Sequence, residues 1–357
     1  MARQPDFERL RTALFCGQPD RVPTAELKCE DFIKEAFLGE KLPSLSKDPR
    51  GYLEKDIEFS YRAGYDFLRV APMVNYGEQW QPATFAYATG SQELRQRNWA
   101  MTHEGLLRTE DDLDRFPWPD PAGATYGWIE IAQELLPDSM QLATSLKGGG
   151  IFERAWMLMG IEAFSFGLLE RPDFVRRVID HTGQVYLEFL RRAFEYERVQ
   201  FVWLGDDLAY YSGLMVNPRF LREMVFPWYA QIAELCQSYD PPKAFVFHSD
   251  GNLWEIMDEL AGLGINALHP IEPKAMDIVQ VKRHLAVRVC VIGNIDLGYT
   301  LTRGTPEEVR EEVRLRLETC APGGGYVVSS SNSVTEYVPL ANYRAMLAAV
   351  EDFGAYS

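Results

Sequence analysis

Eight times along the chain a short apolar, β-branched or aromatic run of strand length appears, and most of these runs lead into a longer stretch of helical periodicity. The runs fall at 22–29, 65–72, 140–147, 201–207, 243–250, 266–272, 289–296 and 325–331. Helical patterns lie at 31–38, 52–63, 162–198, 218–238, 253–261, 278–285, 306–320 and 340–353. Parallel neighbours need a crossover, and evenly spaced crossovers close a sheet on itself. The spacing therefore predicts one α/β domain over 1–357, a (β/α)8 TIM barrel, with a doubly wound sheet as the alternative. Thr305-Pro306-Glu307-Glu308 sets a capping box with proline at the first helical position, and Pro322-Gly323-Gly324-Gly325 ends the same helix.

One connection breaks the rhythm. About fifty residues separate the second run from the helix expected near Tyr126, far beyond an ordinary βα loop. Alternating pieces at 84–89 and 98–102 predict a hairpin before the exit Pro117-Trp118-Pro119-Asp120-Pro121. The insertion, 73–125, is expected to act as a lid over the barrel mouth, with an oligomer contact or decoration of the mouth as the alternatives, and its Trp80, Trp99 and Trp118 would suit an apolar or ring-shaped ligand.

A barrel presents reactive groups at the C-terminal ends of its strands, and residues two apart on a strand share a face. In Phe245-Val246-Phe247-His248-Ser249-Asp250, His248 and Asp250 point the same way after a wholly apolar stretch. They are the first candidates for metal ligands or an acid/base pair, against the plain alternative of a core histidine beside a helix-capping aspartate. Neighbouring ends are polar too. The fourth run closes on Asp206 and Asp207, with Trp203, Tyr210 and Tyr211 around them; the sixth carries His269 and Glu272; the seventh carries Asn294; the eighth leads to Asn332. In the first run Glu26 and Lys28 share a face, a buried ion pair or a functional acid with a companion cation. Asp207 and Glu26 are candidate further catalytic groups. Lys28, Trp203, Asp206, Tyr210, Glu272, Asn294 and Asn332 are candidate substrate contacts, because convergence on one rim separates a site from scattered polar residues. After the third run, Gly148-Gly149-Gly150 opens a helix, so Gly149 and Phe152 would shape a pocket or offer N–H groups to an anion; no P-loop or GxGxxG pattern is present.

Composition excludes other roles. With 52 acidic against 36 basic residues the net charge is −16, which opposes binding to nucleic acid or an anionic membrane. Residues 1–20 hold no apolar signal segment, and no run reaches the length of a membrane span. Five cysteines without a CxxC pair point to a reduced, cytoplasmic protein. Its expected partner is a small molecule, and a homo-oligomer is compatible with the sequence.

From about residue 200 onward, Phe247-His248-Ser249-Asp250-Gly251-Asn252, Ile271-Glu272-Pro273, Gly293-Asn294-Ile295-Asp296, Gly304-Thr305-Pro306-Glu307-Glu308-Val309 and Ala321-Pro322-Gly323-Gly324-Gly325-Tyr326 together resemble the uroporphyrinogen decarboxylase superfamily. The resemblance implies a (β/α)8 barrel with its site at the C-terminal rim, and either decarboxylation or corrinoid-linked methyl transfer. The Arg-Gln-Ala-Gly-Arg motif of true decarboxylases has no counterpart in Glu26-Leu27-Lys28-Cys29-Glu30, and their Phe-Ser-Asp stretch reads Arg69-Val70-Ala71-Pro72. The methyltransferase branch binds zinc through His-x-Cys and a later Cys; here His248 matches, Asp250 replaces the first thiolate, and Asn332 or a neighbouring serine stands near the second. The resemblance thus implies zinc or a harder divalent metal held partly by oxygen, and a corrinoid carried by a partner protein. It favours demethylation of a small O- or N-methylated compound, with carboxylate decarboxylation and a non-catalytic ligand-binding barrel as the alternatives.

Overall fold

The computed structural model describes residues 4–77 and 105–356, together with the backbone of Gln81–Phe85 and Arg95–Trp99. Seven strands form one curled sheet in chain order. Retaining the ordinals of the sequence runs, they are the second (Phe67–Val70), third (Gln141–Thr144), fourth (Val199–Gly205), fifth (Ala244–His248), sixth (Ala267–His269), seventh (Cys290–Ile292) and eighth (Tyr326–Val327). Every neighbouring pair is parallel. The fold is the expected (β/α)8 barrel, with one change in the first run.

That run is not a regular strand. It touches the eighth strand's end through single bridges, Thr24 to Val328 and Cys29 to Val334. The backbone bonds are Ala25 N–H to Val328 O (3.0 Å) and Val328 N–H to Pro23 O (3.0 Å). Pro23 has no N–H to give, which interrupts a continuous ladder at this point. Among the described residues no backbone ladder joins it to the second strand, and a cavity of about 400 Å3 opens in that gap.

Residues two apart on successive strands fill the barrel in layers. Phe67, Ala143, Phe201, Trp203, Val246, Ala267, Ile292 and Val327 form an apolar plug. An N-terminal helix, Phe7–Leu14, stops the bottom of the barrel with Phe7, Leu10, Ala13 and Leu14 packed into the same cluster. Two residues above the plug the side chains turn polar: Arg69 above Phe67, Ser145 above Ala143, His248 above Val246, His269 above Ala267 and Ser329 above Val327. This second layer is the floor of the barrel mouth.

Two helical segments differ from expectation. The stretch 162–198 divides into Ile161–Glu170 and Pro172–Ala193, because Pro172 disfavours helical geometry at Arg171, which sits at φ −142° and ψ 54°. The stretch 218–238 is also broken, running through a wider turn at Leu221–Val225 before Phe226–Gln237. Between the second and third strands, Gln81–Phe85 pairs antiparallel with Arg95–Trp99. These strands overlap the expected pieces at 84–89 and 98–102 in part; the rest of those pieces, and Trp80, lie outside the described residues. Trp118 stacks on His181 of the helix Pro172–Ala193, with ring centroids 4.5 Å apart. Among the described residues no helix is long and apolar enough to cross a membrane.

Candidate functional site

The ends of the fourth and fifth strands bring Asp207, His248 and Asp250 together, each offering one ligand atom within 4.8 Å of the others. His248 Nε2 lies 3.7 Å from Asp207 Oδ1 and 3.9 Å from Asp250 Oδ1. The Asp250 backbone N–H donates to Asp207 Oδ1 at 2.8 Å, which ties the two strand ends together. Gly251 makes the turn possible. At φ 87° it accepts a left-handed geometry, and a Cβ there would stand 2.5 Å from Ala209 O. Asn332 Nδ2 donates to Asp250 Oδ2 at 2.5 Å, whereas Asp250 Oδ1 is buried with no hydrogen-bond partner.

Burial, with repulsion from Asp207 and Glu272, pushes the Asp250 carboxyl up to about 8. Burial also holds His248 below the usual imidazole range, and Arg69 adds to the depression. His248 is therefore neutral at pH 7, with a lone pair available on one nitrogen.

Which nitrogen depends on a chain of contacts running under the mouth and on the charge of Glu26 at its end. His248 Nδ1 meets His269 Nδ1 at 2.7 Å, and His269 Nε2 meets Ser329 Oγ at 3.2 Å. Ser329 Oγ–H donates to Glu26 Oε2 at 3.3 Å, and Ser330 gives the same carboxylate its hydroxyl at 2.6 Å and its backbone N–H at 2.8 Å. Once Glu26 is ionised, above about pH 7, it is the terminal acceptor and every donor points towards it: His248 Nδ1–H to His269, His269 Nε2–H to Ser329, Ser329 to Glu26. That polarity leaves His248 Nε2 unprotonated and facing the two aspartates, the arrangement a metal-ligating histidine requires. Burial lifts Glu26 to about 7, against the pull of its serine bonds.

One imidazole nitrogen and two carboxylate oxygens, one of them unbonded and buried, fit a divalent cation of intermediate or hard character. Neither Cys29 nor any of the other four cysteines belongs to this group.

The remaining sequence candidates divide by location. Glu272 accepts the Gly251 N–H at 3.1 Å and, with Lys28, Asp250 and Asn332, lines a rim cavity of about 490 Å3. Lys28 is 60% exposed, 3.8 Å from Glu30, and borders this cavity as well as the one beside the second strand. Asp206 points away from the mouth. It accepts the N–H groups of Ile151 (2.7 Å), Phe152 (2.9 Å) and Glu153 (2.7 Å) and the Tyr229 hydroxyl (2.7 Å). The anion held by the glycine-led helix Ile151–Met159 is thus the chain's own Asp206. Gly150 permits it, since a Cβ there would stand 2.4 Å from the Asp206 carboxyl carbon. Gly149, at φ 98°, borders this turn, and Phe152 is buried against Phe164 at 5.3 Å. Trp203 lies in the plug, edge-on to His269 at 5.2 Å. Asn294 is spent on Ile271 O (2.6 Å) and the Arg316 Nε–H (3.0 Å). Tyr210 is 56% exposed on a short hairpin with Gly213–Leu214. Sequence reasoning did not single out Arg69, Ser329 or Glu153. The alternation rule would have found the first two, each two places beyond a plug residue. Burial and the charges of Asp207 and Asp206 raise the Glu153 carboxyl well above its ordinary range.

An α/β barrel whose plug carries an imidazole–carboxylate group at its C-terminal rim is the class of protein this geometry defines. The model of the uroporphyrinogen decarboxylase (URO-D) family matches residues 98–353, and the chain belongs to that family. It is 26% identical over 251 residues to a uroporphyrinogen decarboxylase of Cupriavidus pinatubonensis, covering 65% of this chain and 66% of that protein. One from Burkholderia pseudomallei is 25% identical over 248 residues, with 65% of each chain covered. Among solved structures, a methyltransferase from Methanosarcina mazei shares the fold, with a TM-score of 0.73 at 18% identity, covering 97% of this chain and 98% of that one.

Proposed function

We propose that Asp207, His248 and Asp250 hold a divalent metal ion, and that the protein transfers a methyl group between a small O- or N-methylated compound and a corrinoid carried by a partner protein. The observation that carries this reading is Asp250 Oδ1, buried and unbonded beside the Nε2 of His248. A divalent cation bound there supplies Lewis acidity to the heteroatom that gives up the methyl group. The chain's own residues prepare the place. The His248–His269–Ser329–Glu26 contacts orient the imidazole, Asn332 fixes the second oxygen of Asp250, and the apolar plug closes the floor to water.

Decarboxylation of uroporphyrinogen fits this mouth poorly. Eight carboxylates would meet Asp207, Asp250 and Glu272 with only Lys28, Arg69 and Lys147 as cations beside the mouth, and no arginine between 26 and 30. The M. mazei methyltransferase, sharing the fold, agrees with methyl transfer. The test is incubation with free cob(I)alamin as a stand-in acceptor and a panel of O- and N-methyl compounds, following methylated cobalamin by its absorbance. Methylation that disappears in His248→Ala supports the proposal. Conversion of uroporphyrinogen to coproporphyrinogen, with no methylation from the panel, overturns it.

A further inference from the structure

Among the described residues, the barrel mouth holds a cation with no carboxylate hydrogen-bonded to it. Arg69 projects from the second strand into the polar layer, two residues above Phe67 of the plug. Its Nη2–H donates to Ser145 Oγ at 2.6 Å and Nη1–H to Leu27 O at 3.5 Å, while Nε is buried with no partner. Among the described residues its hydrogen-bond partners are neutral and the charge-bearing group that acts on it is the Tyr186 phenol, not a carboxylate. A guanidinium carries five N–H donors and stays charged; Arg69 is half-buried, with its Nε out of solvent and only neutral hydrogen-bond partners, so part of its donor fork is free to meet an anion. Burial depresses its basicity, and its field in turn depresses His248 and His269.

Arg69 lines the cavity of about 400 Å3 between the first run and the second strand. The acids in that wall are already engaged. Asp56 pairs with Lys34 at 2.7 Å, Asp31 accepts the Tyr52 hydroxyl at 2.7 Å, and Glu26 is held by Ser329 and Ser330. Lys28 and Lys147 border the same space, and Phe67 and Trp128 give it an apolar side. Lys28 and Ser333 also border the rim cavity beside Asp250, so the two spaces are neighbours that share these residues as a wall.

We infer that Arg69 is the anchor for a carboxylate on the small molecule this protein binds, which enters with its anionic end in the gap beside the second strand and its other end towards the rim. The inference rests on the reading of the mouth as a small-molecule site, and it narrows the substrate class to a monoanionic acid with an apolar body. A fork of N–H donors suits a planar carboxylate held through two oxygens, and a neutral analogue would leave the guanidinium unmatched.

The experiment reads binding alone, without turnover, so failed methyl transfer and failed anion recognition are distinguishable. Affinities of 4-methoxybenzoate and of its neutral near-isostere 4-methoxybenzamide are measured by calorimetry on the wild type, Arg69→Met and Arg69→Lys. The acid is expected to bind at least about tenfold more tightly than the amide to the wild type. Arg69→Met is expected to erase that preference, and Arg69→Lys to retain a weakened one. The melting temperature of Arg69→Met should change little, because the variant removes a half-buried charge without an ion-pair partner at nearly constant volume. Equal affinities for acid and amide in the wild type, an acid preference that survives in Arg69→Met, or a fall in melting temperature in Arg69→Met that Arg69→Lys restores without restoring the preference, would each overturn the inference.

Discussion

Replacing Glu26 by Gln tests the buried contact chain through its pH dependence. Glu26 is 5% exposed, and the folded protein holds its carboxyl proton up to about 7, whereas an unfolded chain releases it near 4.5. The folded state therefore binds more protons than the unfolded state between those values. Stability contributed by the group is full below 4.5 and is lost as pH rises through 7. At ~1.4 kcal/mol per pH unit, the interval from 4.5 to about 7 corresponds to a loss of about 3 kcal/mol in the wild type. Glutamine reproduces the protonated form. Its oxygen can accept the Ser330 N–H, and its amide can donate to the hydroxyls of Ser329 and Ser330, which rotate to accept. Melting temperatures of metal-stripped wild type and Glu26→Gln, measured from pH 4.5 to 8.5, should nearly coincide at the acid end. They should separate at the alkaline end, with the variant higher by on the order of 5 °C. A difference between the two proteins that is constant across the range would refute the reasoning, since it would mean that position 26 does not change its proton affinity on folding.

Two further outcomes follow from the hydrogen-bond pattern. Asp206→Asn places an amide N–H₂ among three backbone N–H donors and a phenol, so it should destabilise the fold by about 2–4 kcal/mol, seen as a lowered melting temperature, while leaving any metal stoichiometry intact. Ser329→Ala breaks the link between His269 and Glu26 beneath His248; divalent-metal affinity should fall roughly 10–100-fold with little change in melting temperature, and unchanged affinity would show that the chain does not orient the ligand.

The barrel was legible in the sequence because the plug demands it: alternate positions on every strand must be apolar, and Phe67, Phe201, Trp203, Val246 and Val327 supply that pattern. His248 and Asp250 were legible for the same reason, as polar groups following an apolar run with period two. The first run read as a strand by composition, but pairing is a property of both partners, and Pro23 together with the gap to the second strand reduces it to isolated bridges. The helix Phe7–Leu14 is only two turns long, too short for its periodicity to stand out from a polar N-terminus. Asp206 and Asp207 are adjacent and chemically identical, and no local pattern says which one turns to the helix N-terminus and which to His248. Arg69 is an outlier in an apolar strand, but the absence of a neutralising partner is a fact of three dimensions.

Whether the fourth and fifth strand ends form a metal centre is read from the metal content of protein purified without added metal. The measurement compares wild type with His248→Ala and Asp250→Ala. The account predicts about one divalent ion per wild-type chain, or saturable uptake of one on titration, and its loss in both variants with the fold retained. A wild type that takes up no divalent ion, or variants that hold as much as the wild type, would contradict it.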